Sequence, residues 1–313
     1  MDSKRIRKNI EYFFSWLALA GCSFIFRFFP YRYLYGFADS FASVGYSLFP
    51  RQRKIALESL TIAFGKEKNP EERERIAKAC FVAMAKSGFE LIYLMERPAL
   101  LKQRVRIEGL ENLEQALRSG KGVILVSAHF GNFPLLLAKL SQEGYTVGGI
   151  MRPMRNHMAE KLFDANRAKL GIKTIYSIPR NTCVHNSIRS LRDNELVFIP
   201  LDQNFGTGGV FVEFFGRKAA TATGPVILAR RTGAAIVPCF IIRQKDDTHK
   251  LIFEQALSLE AKETEQASIA YNVQKITHII ESYIRFAPEE WGWIHRRWKS
   301  TMKQEPKDSG SIL

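Results

Sequence analysis

The most restrictive feature of this chain is a short apolar run. Residues 122–128 read Gly-Val-Ile-Leu-Val-Ser-Ala, with no polar alternation. Such a segment suits a strand that is covered on both faces, as strands of parallel sheets are. Strand-like runs recur at 105–110, 146–151, 173–178, 196–201, 210–215, 235–242 and 251–257. Helical spacing fills 133–143, 157–170, 183–192 and 224–232, and a late amphipathic helix is predicted over 263–286. This alternation predicts an α/β fold, a single domain with a largely parallel central sheet flanked by helices. A chain of 313 residues, 46% apolar, has enough material to bury that core.

Residues 1–100 carry helical signals instead. The clearest is Asn69-Pro70-Glu71-Glu72, which supplies an N-cap, a proline at the first position and a glutamate placed to reach back. That helix is predicted to run to about Met95 and to stop before Pro98. Residues 1–54 hold nine Lys and Arg against Asp2, Glu11 and Asp39. The cations are interleaved with Tyr12-Phe13-Phe14-Ser15-Trp16 and Phe24-Ile25-Phe26-Arg27-Phe28-Phe29. Aromatic rings flanked by cations suit the headgroup level of a bilayer. Residues 1–50 are therefore expected to form a helical membrane-associated segment, and 51–313 the α/β domain. The apolar stretch 12–26 falls short of the ~20 residues a full span requires, leaving either an interfacial helix or a bare span. The basic start of the chain favours a cytoplasmic N-terminus. Leu19-Ala20-Gly21-Cys22 matches a lipoprotein cleavage box, yet Ser23-Phe24-Ile25-Phe26 continues apolar where a polar tether is required.

The net charge of +15 points to anionic partners. Because the cations accompany membrane-type aromatics and no base-reading motif occurs, nucleic acid is not an expected partner. Cys22, Cys80, Cys183 and Cys239 have no CxxC or metal-ligand spacing, so reduced thiols are expected, with no metal.

Chemistry in open α/β sheets gathers where strands end. The run 122–128 ends in His129-Phe130-Gly131-Asn132-Phe133-Pro134, where a helix begins. Asn132 is placed as N-cap, and Gly131 as a point where backbone can approach a ligand. The N–H groups of that helix start are suited to an oxyanion, and their positive end to keeping His129 neutral as a general base.

Here the sequence resembles the bacterial late lipid A acyltransferases, within the lysophospholipid acyltransferase superfamily. The resemblance covers nearly the whole chain. It is carried by Arg53-Lys54-Ile55-Ala56-Leu57-Glu58-Ser59-Leu60, Ser127-Ala128-His129-Phe130-Gly131-Asn132, Met151-Arg152-Pro153, Asp202-Gln203-Asn204, 209–216, Thr223-Gly224-Pro225 and 293–299. It implies transfer of an acyl group from acyl carrier protein, or a similar thioester, to a hydroxyl of a lipid A precursor or a related glycolipid or lysophospholipid. It places the enzyme at the inner (cytoplasmic) membrane with its catalytic domain on the cytoplasmic face, working without a cofactor and with His129 as base. The family's motif sets Glu or Asp five positions after the histidine, and this chain has Pro134 there. Proline is tolerated in a first helical turn, but an unoriented imidazole can lose its tautomer and part of its rate. Another carboxylate serves, or a carbonyl or water orients the ring, or the protein is a catalytically weak lipid-binding relative. Asp202 is the first candidate because it ends the run 196–201, which a parallel sheet can set beside the strand carrying His129. Glu213 is a weaker one, since strand alternation points it to solvent.

Arg152, also at a strand end, is suited to a headgroup or to the carrier's phosphopantetheine. Gln203 and Arg296 are placed with it in substrate binding. Arg217, Lys218, Arg230 and Arg231 form an acid-free basic cluster for an acidic carrier or lipid phosphates. Residues 296–299, Arg-Arg-Trp-Lys, suggest interfacial anchoring or contact with lipid phosphates.

Overall fold

The structure, a computed structural model, describes residues 3–206 and 208–300. The side chains of Lys4, Arg5 and Lys8, and of Cys22 in the lipoprotein box, lie outside the described ones, as does Thr207.

Helices α1 (Ser3–Phe28), α2 (Leu34–Leu48), α3 (Pro50–Phe64), α4 (Pro70–Met95) and α5 (Pro98–Arg104) precede the sheet. The capping box forms as the sequence requires. The Glu72 N–H donates to Asn69 Oδ1, and the Asn69 N–H to Glu72 Oε2, both at 2.9 Å.

Strands β1 (Val105–Glu108), β2 (Val123–Ser127), β3 (Val147–Met151), β4 (Ile172–Tyr176), β5 (Leu196–Pro200), β8 (Ala235–Arg243) and β9 (His249–Phe253) make one seven-stranded sheet, in the order β1-β9-β8-β2-β5-β3-β4. Its pairings are parallel except β8 with β9. Between β5 and β8 the chain makes an antiparallel hairpin, β6 (Val210–Phe214) with β7 (Arg217–Thr221). Helices α6 (Leu110–Leu117), α7 (Phe133–Gln142), α8 (His157–Lys169), α9 (Arg180–Arg192), α10 (Gly224–Thr232) and α11 (Glu265–Phe286) complete the layers.

The composition of β2 follows from its place near the middle of that sheet. Ile124 and Val126 join the core that includes Val197, Phe240, Val273 and Ile276. Val123 and Leu125 join the opposite core, with Leu136, Phe198 and Ile241. With both faces covered, each such side chain contributes roughly 2 kcal/mol. Helix α6 and strand β7 escape the sequence patterns, and β9 is shifted from its predicted place. Strand β7 opens on Arg217-Lys218 and reads as a basic turn, and β9 begins at His249, earlier than its apolar run suggests.

The N-terminal aromatics divide between two environments. Phe26 is buried and stacks near Phe89 of α4 at 4.9 Å, whereas Phe13, Phe14, Phe24, Ile25 and Phe28 of α1 and Phe37, Phe41, Val44 and Leu48 of α2 stay exposed. Among the described residues no helix is long and apolar enough to cross a membrane.

Candidate active site

Strands β2 and β5 lie side by side in parallel, with Ser127 opposite Pro200, and the Leu201 N–H donates to the Ser127 carbonyl at 2.9 Å. Two residues beyond that pair come His129 and Asp202. Adjacent parallel strands therefore deliver both side chains to one point. His129 Nδ1 lies 2.8 Å from Asp202 Oδ1. A carboxylate only accepts, so the Nδ1 proton is donated to it and Nε2 keeps its lone pair. The second oxygen, Oδ2, accepts from Trp291 Nε1 at 2.8 Å.

Asp202 is 1% exposed. Burial disfavours its charge, but His129 and the Trp291 N–H outweigh that and hold the carboxyl at about 2. Burial also acts against a charged His129, yet the Asp202 charge and hydrogen bond leave its pKa raised. The expectation that the helix start keeps the imidazole neutral by lowering its pKa is thus corrected. The neighbouring carboxylate dominates and makes Nε2 a stronger base.

The His129 side chain is 28% exposed and opens on a groove of about 250 Å³. Ala83, Met84 and Leu91 of α4 form an apolar wall, and Phe133, Glu290 and His295 also face the groove. Gln203 bridges two imidazoles: its Nε2 lies 3.2 Å from His129 Nε2 and 3.3 Å from His295 Nε2. His295 is pushed down from its ordinary pKa by burial and by the His129 charge. The Gln203 loop is fixed from behind by Arg297, fully buried, whose guanidinium donates to the carbonyls of Gln203 (3.0 Å) and Ala220 and to Thr221 Oγ1.

Other expectations need adjustment. Asn132 does not cap α7 with its side chain. It is buried, and Nδ2 donates to the Ser87 carbonyl and to Glu90 Oε2, both at 3.1 Å. Gly131 does have a positive φ of 56°, but the backbone it approaches is the protein's own: a Cβ there would lie 2.0 Å from the Ile241 carbonyl oxygen. Its N–H is given to the Glu290 carbonyl at 2.8 Å, which removes it from the donors proposed for an oxyanion. Gly131→Ala is expected to destabilise the protein by roughly 3 kcal/mol or more, because strain and overlap with β8 add, as chemical denaturation would measure. Arg297 and Trp298 are not interfacial anchors: one is buried, and the other donates its Nε1 proton to the Phe214 carbonyl. Arg230 of the basic cluster pairs with Glu265 at 2.9 Å.

Arg152, at the end of β3 two strands from β2, and Arg296 are exposed. Glu213 is exposed on β6, as alternation requires. Pro134 sits in the first turn of α7 and lines the groove without disturbing the helix. Sequence reasoning did not assign roles to Trp291 and His295, and it gave Arg297 an anchoring role instead of a supporting one behind Gln203. The run of tryptophans and cations at 291–299 was their available signal.

Residues 2–300 match the model of the bacterial lipid A biosynthesis acyltransferase family. The chain is similar to the lipid A biosynthesis palmitoleoyltransferase of Escherichia coli K12, 26% identical over 308 residues that cover 93% of this chain and 92% of that one. The lipid A biosynthesis lauroyltransferase of the same organism is 25% identical over 306 residues, covering 95% and 94%. A phosphatidylinositol mannoside acyltransferase of Mycobacterium tuberculosis CDC 1551 / Oshkosh is 24% identical over 202 residues, covering 63% and 61%. With a match that spans every described residue, the histidine of the strand-to-helix junction among them, this chain belongs to the bacterial lipid A biosynthesis acyltransferase family.

Proposed function

We propose that the protein transfers a fatty acyl group from an acyl carrier protein thioester to a hydroxyl of a lipid A precursor or a related glycolipid or lysophospholipid. The observation that carries this reading is His129 itself, backed by a buried, ionised Asp202, with Gln203 at its Nε2, on an apolar-walled groove. In the reaction, His129 Nε2 takes the acceptor's hydroxyl proton as that oxygen attacks the thioester carbonyl. Asp202 stabilises the resulting imidazolium. The tetrahedral intermediate collapses with cleavage of the C–S bond, and His129 returns the proton to the departing thiolate. The balance needs neither metal nor redox cofactor. The names of the relatives, which describe acyl transfer in lipid A and mannoside biosynthesis, support the same acceptor class. The test is acyl transfer by the detergent-solubilised full chain, with acyl carrier protein thioester and a lipid A precursor. Transfer supports the reading, and its absence with every hydroxyl-bearing lipid tried overturns it.

Pro134 motivates a second reading, a catalytically weak lipid-binding relative. The Asp202–His129 pair argues against it, since the orienting role is already filled from β5. Pro134→Glu is accordingly expected to leave the rate unchanged. A large gain would favour the second reading.

The exposed apolar faces of α1 and α2 support contact with a lipid surface, which the proposal sets at the cytoplasmic face of the inner membrane. Replacing Phe13, Phe14, Phe24 and Ile25 together by Ser is expected to weaken sedimentation with anionic phospholipid vesicles by roughly tenfold or more. Unchanged binding would remove α1 as the anchor.

A further inference from the structure

Two residues that line the groove beside His129, Asn132 and Glu290, each carry a buried side-chain oxygen, Oδ1 and Oε2, that no group of the described residues satisfies. The orientation of Asn132 is set by its partners. Nδ2 faces the Ser87 carbonyl and the Glu90 carboxylate, which only accept, so the amide cannot turn over and Oδ1 is left as an acceptor. Glu290 lines the same groove, and its backbone carbonyl, not its carboxyl, receives the Gly131 N–H. Buried polar atoms are ordinarily paired. Two orphaned acceptors on residues that share a groove with a catalytic base suit a ligand that enters there and brings hydrogen-bond donors. An alkyl chain leaves both unsatisfied, and a phosphate or carbonyl sets oxygen against oxygen.

We propose that Asn132 Oδ1 and the Glu290 carboxyl form a subsite for the O–H- or N–H-bearing part of a substrate next to its reacting group. This rests on the acyltransferase reading above and deepens it. Two sources supply that chemistry: sugar hydroxyls of the acceptor headgroup and amide N–H groups of the carrier's pantetheine arm. Specificity then follows from the unpaired acceptors, because a site built to receive donors rejects analogues that lack them. The charges that act on the Glu290 carboxyl include Arg243 of β8, Glu90 of α4, Asp247 of the β8–β9 turn and the adjacent Glu289, and His129 and His295 line the same groove. Burial, with the three acids, pushes the carboxyl up to about 7 against the attraction of Arg243. The ionised form accepts more strongly, so ligand binding tightens as pH rises through that value.

The test uses titration calorimetry on the full chain in detergent, which requires no turnover. A lipid A precursor is titrated in one arm and acyl carrier protein thioester in the other, for the wild type and for Glu290→Gln and Glu290→Ala. Both variants are expected to bind one of the two probes about tenfold more weakly and to lose its tightening between pH 6 and 8. Loss confined to the lipid arm assigns the subsite to headgroup hydroxyls, and loss confined to the carrier arm to pantetheine amides. Wild-type affinity and pH dependence for both probes in the variants overturn the subsite. Absence of acyl transfer by the wild type, measured separately, counts against the catalytic reading and leaves the binding result standing.

Discussion

Asp202→Asn is expected to lower kcat for acyl transfer by roughly 10³–10⁴-fold, with KM changed little. The reason lies in the direction of two hydrogen bonds. Trp291 Nε1 can only donate, and it donates to Oδ2. An asparagine must therefore turn its oxygen to Trp291 and its NH₂ to His129 Nδ1. The imidazole then moves its proton to Nε2, and the lone pair that takes the acceptor's proton is lost. The substitution also removes the negative charge that raises the His129 pKa. Trp291→Phe in the same chain frees the asparagine to turn its oxygen back to His129, so the double variant is expected to recover part of the lost rate. Steady-state kinetics on both variants check this. If the single variant keeps near wild-type kcat, Asp202 does not orient the base.

Glu90→Ala is expected to destabilise the protein by about 3–5 kcal/mol and to lower Tm by on the order of 10 °C. Glu90 of α4 is fully buried and accepts from Arg243 Nη2 (2.8 Å), His249 Nε2 (2.8 Å), the Tyr35 hydroxyl (2.6 Å) and Asn132 Nδ2 (3.1 Å). It thereby ties α2, α4, the β8–β9 pair and the junction after β2 to one carboxylate. Its removal leaves buried Arg243 and His249 without their shared acceptor. Burial opposes the charge of Glu90, but His249, Arg243 and Tyr35 hold the carboxyl at about 2, below its ordinary 4.5. A depressed folded-state pKa stabilises the ionised form. That contribution is complete above about 4.5 and is lost as pH falls towards 2. Acid unfolding of the wild type should therefore steepen across this window, and the Glu90→Ala variant should lack that component. Thermal melts monitored by circular dichroism between pH 2 and 7 measure both effects.

The sheet was legible because its strands announce themselves. The run 123–126 is apolar on both pleats, and both pleats face a core. The hairpin partner β7 was not, since Arg217 and Lys218 leave solvent-facing positions that imitate a turn. His129 and Asp202 could be paired from sequence by strand-end logic alone, and β2 and β5 prove to be neighbours in register. Trp291 and Arg297 could not, because they act from a segment some 90 residues further on, whose position no local pattern fixes. Asn132 and Gly131 were placed at the right junction and given the wrong partners. The identity of a residue at a helix start does not reveal whether its side chain caps that helix or reaches a neighbouring one, as Asn132 reaches Glu90.

The account turns on proton removal by one imidazole. Its most direct test is a single-turnover assay of the full chain in detergent, with radiolabelled acyl carrier protein thioester, lipid A precursor and either wild type or His129→Ala. The account predicts labelled lipid with the wild type and a rate lower by roughly 10³-fold or more with the variant. Labelled lipid formed at the wild-type rate by His129→Ala would contradict it.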